Sequence, residues 1–475
     1  MVPTEMADVL LTHGYRLYED PHELAVMKPY PPLGILYLAS HLKARGFEVD
    51  VFDSTFQDVD AFQAQLDRTH PPVVGIYTNL MTRVNVLDLV RRCRVHGAFV
   101  VLGGPDPANH AARYLEQGAD AIVVGEGEAT LEELLSLPGR GSDALAAIPG
   151  LVFRSEDGTI VRTPPRAMLS DLDAQPFPDR ESIDLGRYVE TWRAHHGRGS
   201  VSLITARGCP YTCTWCSHAV YGYTHRRRSP GNVADEVEAI RDRYRPDMLW
   251  YADDVFTIHK GWLGRYAAEL ERRGLRLPFE TISREDRLDE EVVDTLAAMG
   301  CFRLWVGAES GSQRILDGMK RRTDARRVPD VVRMLQRKGI EAGMFIMLGY
   351  EGEEVGDLEA TVELLKRAGP DTFLTTVAYP IEGTPYAEQV ADRIVPLAPW
   401  ASGSDRQRTV AGRHSRRFYA HATRWMVNDV AFHRERSMPD RDPVRLGRRW
   451  LNARLGRLGM RLTAREVEPR PATSA

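Results

Sequence analysis

Short apolar runs alternate with helix-length amphipathic segments along most of this chain, and the helical segments stop at glycine. Val9–Thr12 reads as a strand, Leu33–Arg45 as a helix ending at Gly46, and Phe47–Phe52 and Val73–Tyr77 as strands. Val86–His96 reads as a helix ending at Gly97, and Phe99–Leu102 as a strand running into Gly103-Gly104. Ala108–Gln117 reads as a helix ending at Gly118, and Ala121–Val124 as a strand running into Gly125-Glu126-Gly127-Glu128. Apolar strands joined by helical crossovers demand a parallel sheet with helices on both faces, an α/β doubly wound architecture. Ligands of such sheets bind at the carboxyl ends of strands. Here those ends are Thr78–Arg83, Gly103–Pro107 and Gly125–Glu128.

A different texture follows. Leu151–Arg154 and Ile160–Arg162 flank Glu156-Asp157-Gly158, a hairpin signal, and Pro164–Asp184 is rich in Pro and Asp and reads as a linker. From Val201 the strand–helix rhythm resumes. Val201–Thr205, Met248–Tyr251, Phe279–Ser283, Arg303–Val306, Gly343–Leu348 and Thr372–Ala378 are the strands of an open, partial (β/α)6 barrel, whose functional loops would follow the strands. The expected organisation is therefore a doubly wound domain over residues 1–140, a hairpin and linker over 141–198, a partial barrel over 199–390, and a helical, Arg-rich region over 391–475.

Composition narrows the class. With 43% hydrophobic and 27% charged residues over 475 positions, the chain is not disordered, collagen-like or a small disulfide scaffold. No run approaches the ~18 consecutive apolar residues of a membrane span. The opening MVPTEMADVLLTHG has no basic segment before an apolar one, and five cysteines are too few for a disulfide framework. A cytoplasmic location is the expectation. The net charge of −4 hides an asymmetry: residues 401–475 hold 17 Arg, no Lys and 7 acidic residues, so a tail of charge +10 follows a body of −14. The favoured reading is that the tail packs on the body, with an anionic substrate, membrane or partner as the alternative.

The strongest chemical signal is Arg207-Gly-Cys209-Pro-Tyr-Thr-Cys213-Thr-Trp-Cys216, directly after the first barrel strand. Three thiolates on one loop can hold three corners of a [4Fe–4S] cluster and leave the fourth iron open, as a catalytic metal requires. A zinc site completed by His218 is the competing reading. Cys93 and Cys301 lie in apolar segments and are expected in the core.

This loop, with Trp215 before its third cysteine, resembles that of the radical S-adenosylmethionine (SAM) enzymes. Tyr251-Ala-Asp-Asp-Val-Phe256 resembles the family's second-strand motif and Ile282-Ser-Arg-Glu-Asp286 its third-strand end. Gly300-Cys-Phe-Arg-Leu-Trp-Val-Gly-Ala-Glu-Ser-Gly-Ser312 resembles the fourth-strand signature, and Tyr379-Pro-Ile-Glu-Gly-Thr-Pro385 the sixth-strand end. Met347-Leu-Gly-Tyr-Glu-Gly352 departs from the fifth-strand pattern. The resemblance implies that Cys209, Cys213 and Cys216 hold the cluster and that SAM chelates the open iron. Trp215, Asp253 or Asp254 (for the SAM amine), Ser283 and Arg284 (for its carboxylate), and Glu309 and Ser310 (for the ribose) would then bind SAM.

The N-terminal segment resembles the cobalamin-binding domain fused to many such enzymes, through Pro29-Tyr-Pro-Pro-Leu-Gly-Ile-Leu-Tyr-Leu-Ala39, Gly46-Phe-Glu-Val-Asp-Val-Phe-Asp53, Gly103-Gly-Pro and Val124-Gly-Glu-Gly-Glu128. No Asp-x-His-x-x-Gly motif is present, so no histidine of that motif would ligate cobalt. The expected cobalamin contacts are Thr78, Leu80, Met81, Arg83, Gly103, Gly104, Gly125, Glu126 and Gly127. Together the two segments resemble the cobalamin-dependent radical SAM methyltransferases and anaerobic cyclases. The resemblance implies methylation of an unactivated carbon of a small molecule or lipid, in natural-product biosynthesis, through a 5′-deoxyadenosyl radical and methylcobalamin. Oxidative cyclisation or rearrangement without net methyl transfer is the alternative. A methylthiotransferase, which needs cysteines for a second cluster, and a non-enzymatic cobalamin sensor are weaker readings. A one-electron reductant such as flavodoxin or ferredoxin is implied.

Arg226–Arg228 lacks any recognition motif, and no nucleic-acid partner is expected. In the tail, Phe418, Tyr419, Trp425, Met426, Val430 and Phe432 form one apolar stripe, and Leu446, Trp450, Leu451, Leu455 and Leu458 another. Docking helices are the favoured reading, with peripheral membrane contact as the alternative. Residues from Glu468 to Ala475 are expected to fray.

Overall fold

The computed structural model describes residues 7–469. The chain divides into two compact units. The first comprises Met1–Pro210, Ser217–Ala252 and Ala398–Asp405; the second comprises Tyr211–Cys216, Asp253–Leu397 and Arg406–Ala475.

The first unit is built on seven strands: β1 (Val9–His13), β2 (Val49–Phe52), β3 (Val73–Tyr77), β4 (Phe99–Gly103), β5 (Ala121–Val123), β6 (Leu151–Arg154) and β7 (Ile160–Arg162). Their order is β2-β1-β3-β4-β5-β6-β7, with β1 to β5 parallel and β6 and β7 antiparallel. Side-chain alternation feeds two cores. Leu10, Val74, Ile76, Val100, Leu102 and Ile122 pack on one face, against Val86, Val90 and Cys93 of helix Arg83–Val95. Val9, Leu11, Val73, Val101, Ala121 and Val123 pack on the other, against Ile35, Ala39 and Leu42 of helix Leu33–Lys43. Burial on both faces explains why these strands read as unbroken apolar runs.

The expected hairpin is not separate from this sheet, because β6 pairs with β5 and extends the edge. Helix Leu185–His196, N-capped by Asp184, lies in the segment expected to be linker. The predicted helix Ala108–Gln117 is two short ones, Pro105–Asn109 and Ala111–Glu116, interrupted at His110. The first unit also holds β8 (Ser200–Leu203), the short ribbon strands β9 (Ala206–Arg207) and β10 (Arg226–Arg227), and β11 (Met248–Tyr251), which is parallel to β8.

The second unit contains β12 (Phe279–Ser283), β13 (Cys301–Glu309), β14 (Glu341–Leu348) and β15 (Thr372–Val377), parallel and paired in chain order. All six expected barrel strands therefore form, separated by helices. The register shifts between Gly307 and Glu309 where β13 pairs with β14, so the end of β13 bulges. Glu309 stands there with φ 61°, a left-handed conformation that re-aims its side chain.

The tail is more than helical. β16 (Ile394–Pro396) and β17 (Arg408–Val410) form an antiparallel pair before helices Arg416–Glu435 and Pro443–Thr463. Phe418, Tyr419, Trp425, Met426 and Val430 are buried, as expected of a docking helix. The second stripe is a correction. Trp450, Leu451, Leu455 and Leu458 are exposed, and the buried side of that helix is Ala453, Gly456, Gly459, Met460 and Thr463. The small residues allow this: a Cβ on Gly456 would stand 2.6 Å from the backbone nitrogen of Trp425. The expected fraying does not extend to Glu468, whose N–H donates to the carbonyl of Arg413. Residues 470–475 lie outside the described residues. Among the described residues no helix is long and apolar enough to cross a membrane.

Candidate functional site

Residues Tyr211–Cys216 are pinned inside the second unit by Thr214. Its N–H donates to the carbonyl of Met319 at 3.1 Å, its Oγ1 lies 2.6 Å from the Tyr350 hydroxyl, and its carbonyl accepts from the Tyr386 N–H at 2.9 Å. Tyr350 and Tyr386 stack at 4.8 Å. Trp215 packs on the cluster that holds both, together with Met347, Leu316 and Met319. The departure at residues 347–352 therefore supplies a direct anchor for the cysteine loop.

Two guanidiniums converge on Cys213. Arg284, following β12, points Nη1 at its Sγ from 3.8 Å, and Arg321 points Nη1 at it from 3.9 Å. Arg284 is held by Asp286 at 2.8 Å, by the Arg321 carbonyl at 2.8 Å, and by the face of Tyr211, 3.8 Å from its ring centroid. Arg321 donates to the Gly307 carbonyl at 2.6 Å, and its Nη2 lies 3.8 Å from Glu285. A hydrogen bond with Cys216, reinforced by Arg321 and Arg284, lowers the Cys213 thiol to about 5. A thiolate at neutral pH is the metal-binding form. Burial raises Glu309 to about 7, and raises Glu285 as well. Gly307 makes room for this cluster: a Cβ there would meet Arg321 Nη2 at 2.8 Å and Glu309 Oε1 at 3.0 Å.

The SAM residues expected from sequence divide. Glu309, Arg284 and Cys213 come together around Arg321. Asp253 is buried and Asp254 exposed in the segment after β11. Ser283 is buried, with its hydroxyl 2.5 Å from that of Thr257. Ser310 is engaged elsewhere: its hydroxyl lies 3.3 Å from that of Thr361 and accepts the Ser312 N–H, tying β13 to helix Val355–Ala368. Sequence reasoning missed Arg321, Glu285, Tyr211 and Tyr350. Arg321 follows β13 by twelve positions and carries no local motif; only the fold brings it to Cys213.

In the first unit, β1 is flanked by β2 and β3, so the strand order reverses at β1, and the carboxyl edge there is the ligand-binding side of such a sheet. Gly103 and Gly125 leave this edge open. A Cβ on Gly103 would meet nothing within 4 Å, and one on Gly125 only the Val220 carbonyl at 3.8 Å. Gly104 has φ 103°, and a Cβ there would stand 2.4 Å from the carbonyl of Thr78. Thr78 itself is buried, Met81 is exposed, and Leu80 is half-buried between them. Gly127 caps helix Glu128–Leu135 after β5, and a Cβ there would meet the Leu38 side chain at 3.2 Å. His13, at the end of β1, has both ring nitrogens engaged, with Asp53 at 3.0 Å and the Tyr15 N–H at 3.2 Å.

Two of the expected cobalamin contacts, Arg83 and Glu126, have charged side chains held by protein partners. Arg83 is buried and bidentate to Asp106, at 3.0 and 2.7 Å, with Asp405 at 2.9 Å and the Trp400 ring 4.9 Å away. Glu126 accepts from Arg207 at 2.8 Å, Arg226 at 2.6 Å and the Leu169 N–H at 2.7 Å. Both side chains are fully committed because a buried charge is stable only when paired. The Glu126 contacts root the cysteine loop, since Arg207 and Arg226 sit on the β9–β10 ribbon from which it springs. Gly208 tightens that root, with φ 86° and a Cβ position 2.4 Å from the Thr224 carbonyl. His218, the zinc alternative, stacks on Tyr223 and hydrogen-bonds through Nδ1 to the Gly222 carbonyl. Cys93 and Cys301 are buried core thiols, as expected.

The donor set fits a cluster: a three-cysteine loop, one thiol already lowered, and two guanidiniums placed to offset negative charge. The open glycine edge fits a large flat group. Comparison with known proteins agrees. Residues 203–365 match the radical SAM superfamily and residues 25–135 the B12 binding domain. An uncharacterized methyltransferase of Pyrococcus horikoshii is 28% identical over 74% of this chain and 77% of its own length. The anaerobic magnesium-protoporphyrin IX monomethyl ester cyclase of Rubrivivax gelatinosus is 25% identical over 77% of this chain and 67% of its own. Among solved structures, the cobalamin-dependent SAM radical enzyme OxsB superposes with a TM-score of 0.71 at 16% identity, covering 95% of this chain and 72% of that one. The cofactors are accordingly a [4Fe–4S] cluster, SAM and cobalamin, and the chain belongs to the cobalamin-dependent radical SAM enzymes.

Proposed function

We propose that the chain transfers a methyl group to an unactivated carbon of a small molecule or lipid. The reading is carried by one observation: a three-cysteine loop faced by two guanidiniums and an open, glycine-bordered sheet edge occur in the same polypeptide. Its similarity to the P. horikoshii methyltransferase supports it. When bound, the cofactors supply a 5′-deoxyadenosyl radical, which removes hydrogen from carbon, and a cobalt-carried methyl group.

The chain's own residues orient and insulate. Cys209, Cys213 and Cys216 hold the cluster. Arg284 and Arg321 keep Cys213 ionised, and the Thr214–Tyr350 bond holds the loop against movement. Asp253 or Asp254 accepts the SAM amine, Ser283 and Arg284 receive its carboxylate, and Glu309 accepts from ribose hydroxyls. Ser310 supports the strand end that carries Glu309. Gly103, Gly104 and Gly125 form the edge that receives cobalamin, with Thr78, Leu80 and Met81 beside it.

A second reading is oxidative cyclisation without net methyl transfer, favoured by the similarity to the R. gelatinosus cyclase. The two separate on one assay. The anaerobically reconstituted enzyme is given methyl-labelled SAM, cobalamin, a low-potential reductant and candidate substrates. Equal yields of S-adenosylhomocysteine and 5′-deoxyadenosine with a labelled product support methylation. Deoxyadenosine with an unlabelled, oxidised product establishes the second reading. Absence of deoxyadenosine overturns both.

A further inference from the structure

Helix Pro443–Thr463 has an inward face of small residues and an outward face of large ones. Val444, Leu451, Leu455, Leu458 and Leu462 recur at helical spacing on the side opposite Ala453, Gly456 and Met460. All five are exposed, from 40% at Leu455 to 75% at Leu462. The line they form runs the length of the helix, roughly 27 Å at 1.5 Å per residue. An aliphatic surface of this extent marks an interaction site.

Charge identifies the partner. The helix carries Arg445, Arg448, Arg449, Arg454, Arg457 and Arg461 and no acidic residue. Arg445 and Arg449 answer Glu435, and Arg457 answers Glu359. Arg448, Arg454 and Arg461 border the stripe, and none forms an ion pair among the described residues. Trp450 sits at the margin with the Arg454 guanidinium 5.5 Å from its ring centroid. A large indole beside a cation is suited to a boundary between acyl chains and headgroups.

We propose that this helix docks flat on an anionic lipid bilayer, with its aliphatic line among the acyl chains and its bordering arginines on lipid phosphates. It lies on the membrane rather than across it, because no helix among the described residues is apolar enough to span. A second copy of the chain is a poorer occupant: two such helices face to face would set arginine rows against each other with no acid on either to answer them.

The test uses the full-length protein in vesicle flotation. With an equimolar mixture of phosphatidylglycerol and phosphatidylcholine, bound protein should exceed that with phosphatidylcholine alone by roughly tenfold or more, and should fall at high salt. Leu455→Glu/Leu458→Glu should stay with the soluble fraction while its circular dichroism melt is unchanged, since both positions are exposed. Arg448→Ser/Arg454→Ser/Arg461→Ser should lose the preference for anionic vesicles. Vesicles should shift tryptophan emission to shorter wavelength, and Trp450→Phe should remove the shift. Failure to float with anionic vesicles, or flotation indifferent to the leucine substitutions, overturns the proposal. So does a concentration-dependent dimer in ultracentrifugation that Leu455→Glu disperses.

Discussion

Arg83 and Asp405 stand 2.9 Å apart in the interior of the first unit although 322 positions separate them in sequence. Asp106 takes the other side of the same guanidinium, and Tyr114 donates its hydroxyl to Asp106. Removing the cation leaves two carboxylates buried together. Arg83→Gln should cost about 3–5 kcal/mol. Asp405→Asn, which leaves Arg83 paired with Asp106, should cost about 1–3 kcal/mol. Denaturant unfolding followed by circular dichroism measures both; equal costs would contradict the arrangement.

Neighbouring glycines on the carboxyl edge of the first sheet, the proposed cobalamin edge, should separate cofactor binding from folding. Gly103→Leu adds a side chain where nothing stands within 4 Å, so its melting temperature should match the parent while cobalt per chain falls sharply. Gly104→Ala meets the Thr78 carbonyl at 2.4 Å in a left-handed conformation and should destabilise the fold by roughly 1–3 kcal/mol. Cobalt retained in full by Gly103→Leu would place the cofactor elsewhere.

Cys213→Ala should reduce reconstituted iron well below the roughly four per chain of a complete cluster. It should also abolish 5′-deoxyadenosine formation. Cys301→Ala, at a buried thiol on β13, should leave both readouts intact, apart from a modest stability loss.

Glu353 lies under the end of β14, accepting the Gly349 N–H at 2.5 Å, and burial pushes its carboxyl up to about 8. An unfolded glutamate ionises near ~4.3. Between these values the folded state keeps a proton that the unfolded state has released, so stability falls as pH rises through the window and levels off above it. The loss should be of order a few kcal/mol. Glu353→Gln should flatten this dependence, with its denaturation midpoint gaining on the parent from pH ~5 to ~9. A constant offset between the two proteins would contradict the assignment.

Two glycines on helix Pro443–Thr463 should respond in opposite directions. Gly456→Ala drives a methyl to 2.6 Å from the Trp425 backbone nitrogen and should cost roughly 1–3 kcal/mol as the paired helices part. Gly447→Ala meets nothing within 4 Å and should stabilise by up to about 1 kcal/mol through helix propensity. Thermal melts of the two variants decide it.

The legible part of this molecule is the part governed by local rules. Every expected parallel strand formed within a few residues of its predicted bounds; most are buried on both faces and so read as apolar runs, while half-exposed β15 was legible from its Thr, Phe and Val content. Helix Val59–Thr69 went unread although Asp58 caps it and Phe62 and Leu66 mark its buried side. The cysteine loop was legible from spacing. What surrounds it was not: Arg321 reaches Cys213 from 108 positions away, and Arg83 looked like a loop residue near a ligand until Asp405 arrived from the far end of the chain. The apolar stripe of the last helix was seen, but not its direction. Leucine and glycine faces of one helix can each be the packed one, and close backbone approach at Gly456 chose the glycines.

The segment Ala398–Asp405 belongs to the first unit, yet it is made long after the sheet it completes. During synthesis, Arg83 leaves the ribosome with Asp106 within reach, while Asp405 and the Trp400 ring follow more than 300 residues later. At about 5–20 residues per second this is a delay of roughly 15–65 s. The N-terminal sheet is thus an early-made part with a late-arriving plug, and its buried arginine lacks its second carboxylate and its aromatic cover until most of the enzyme has been translated.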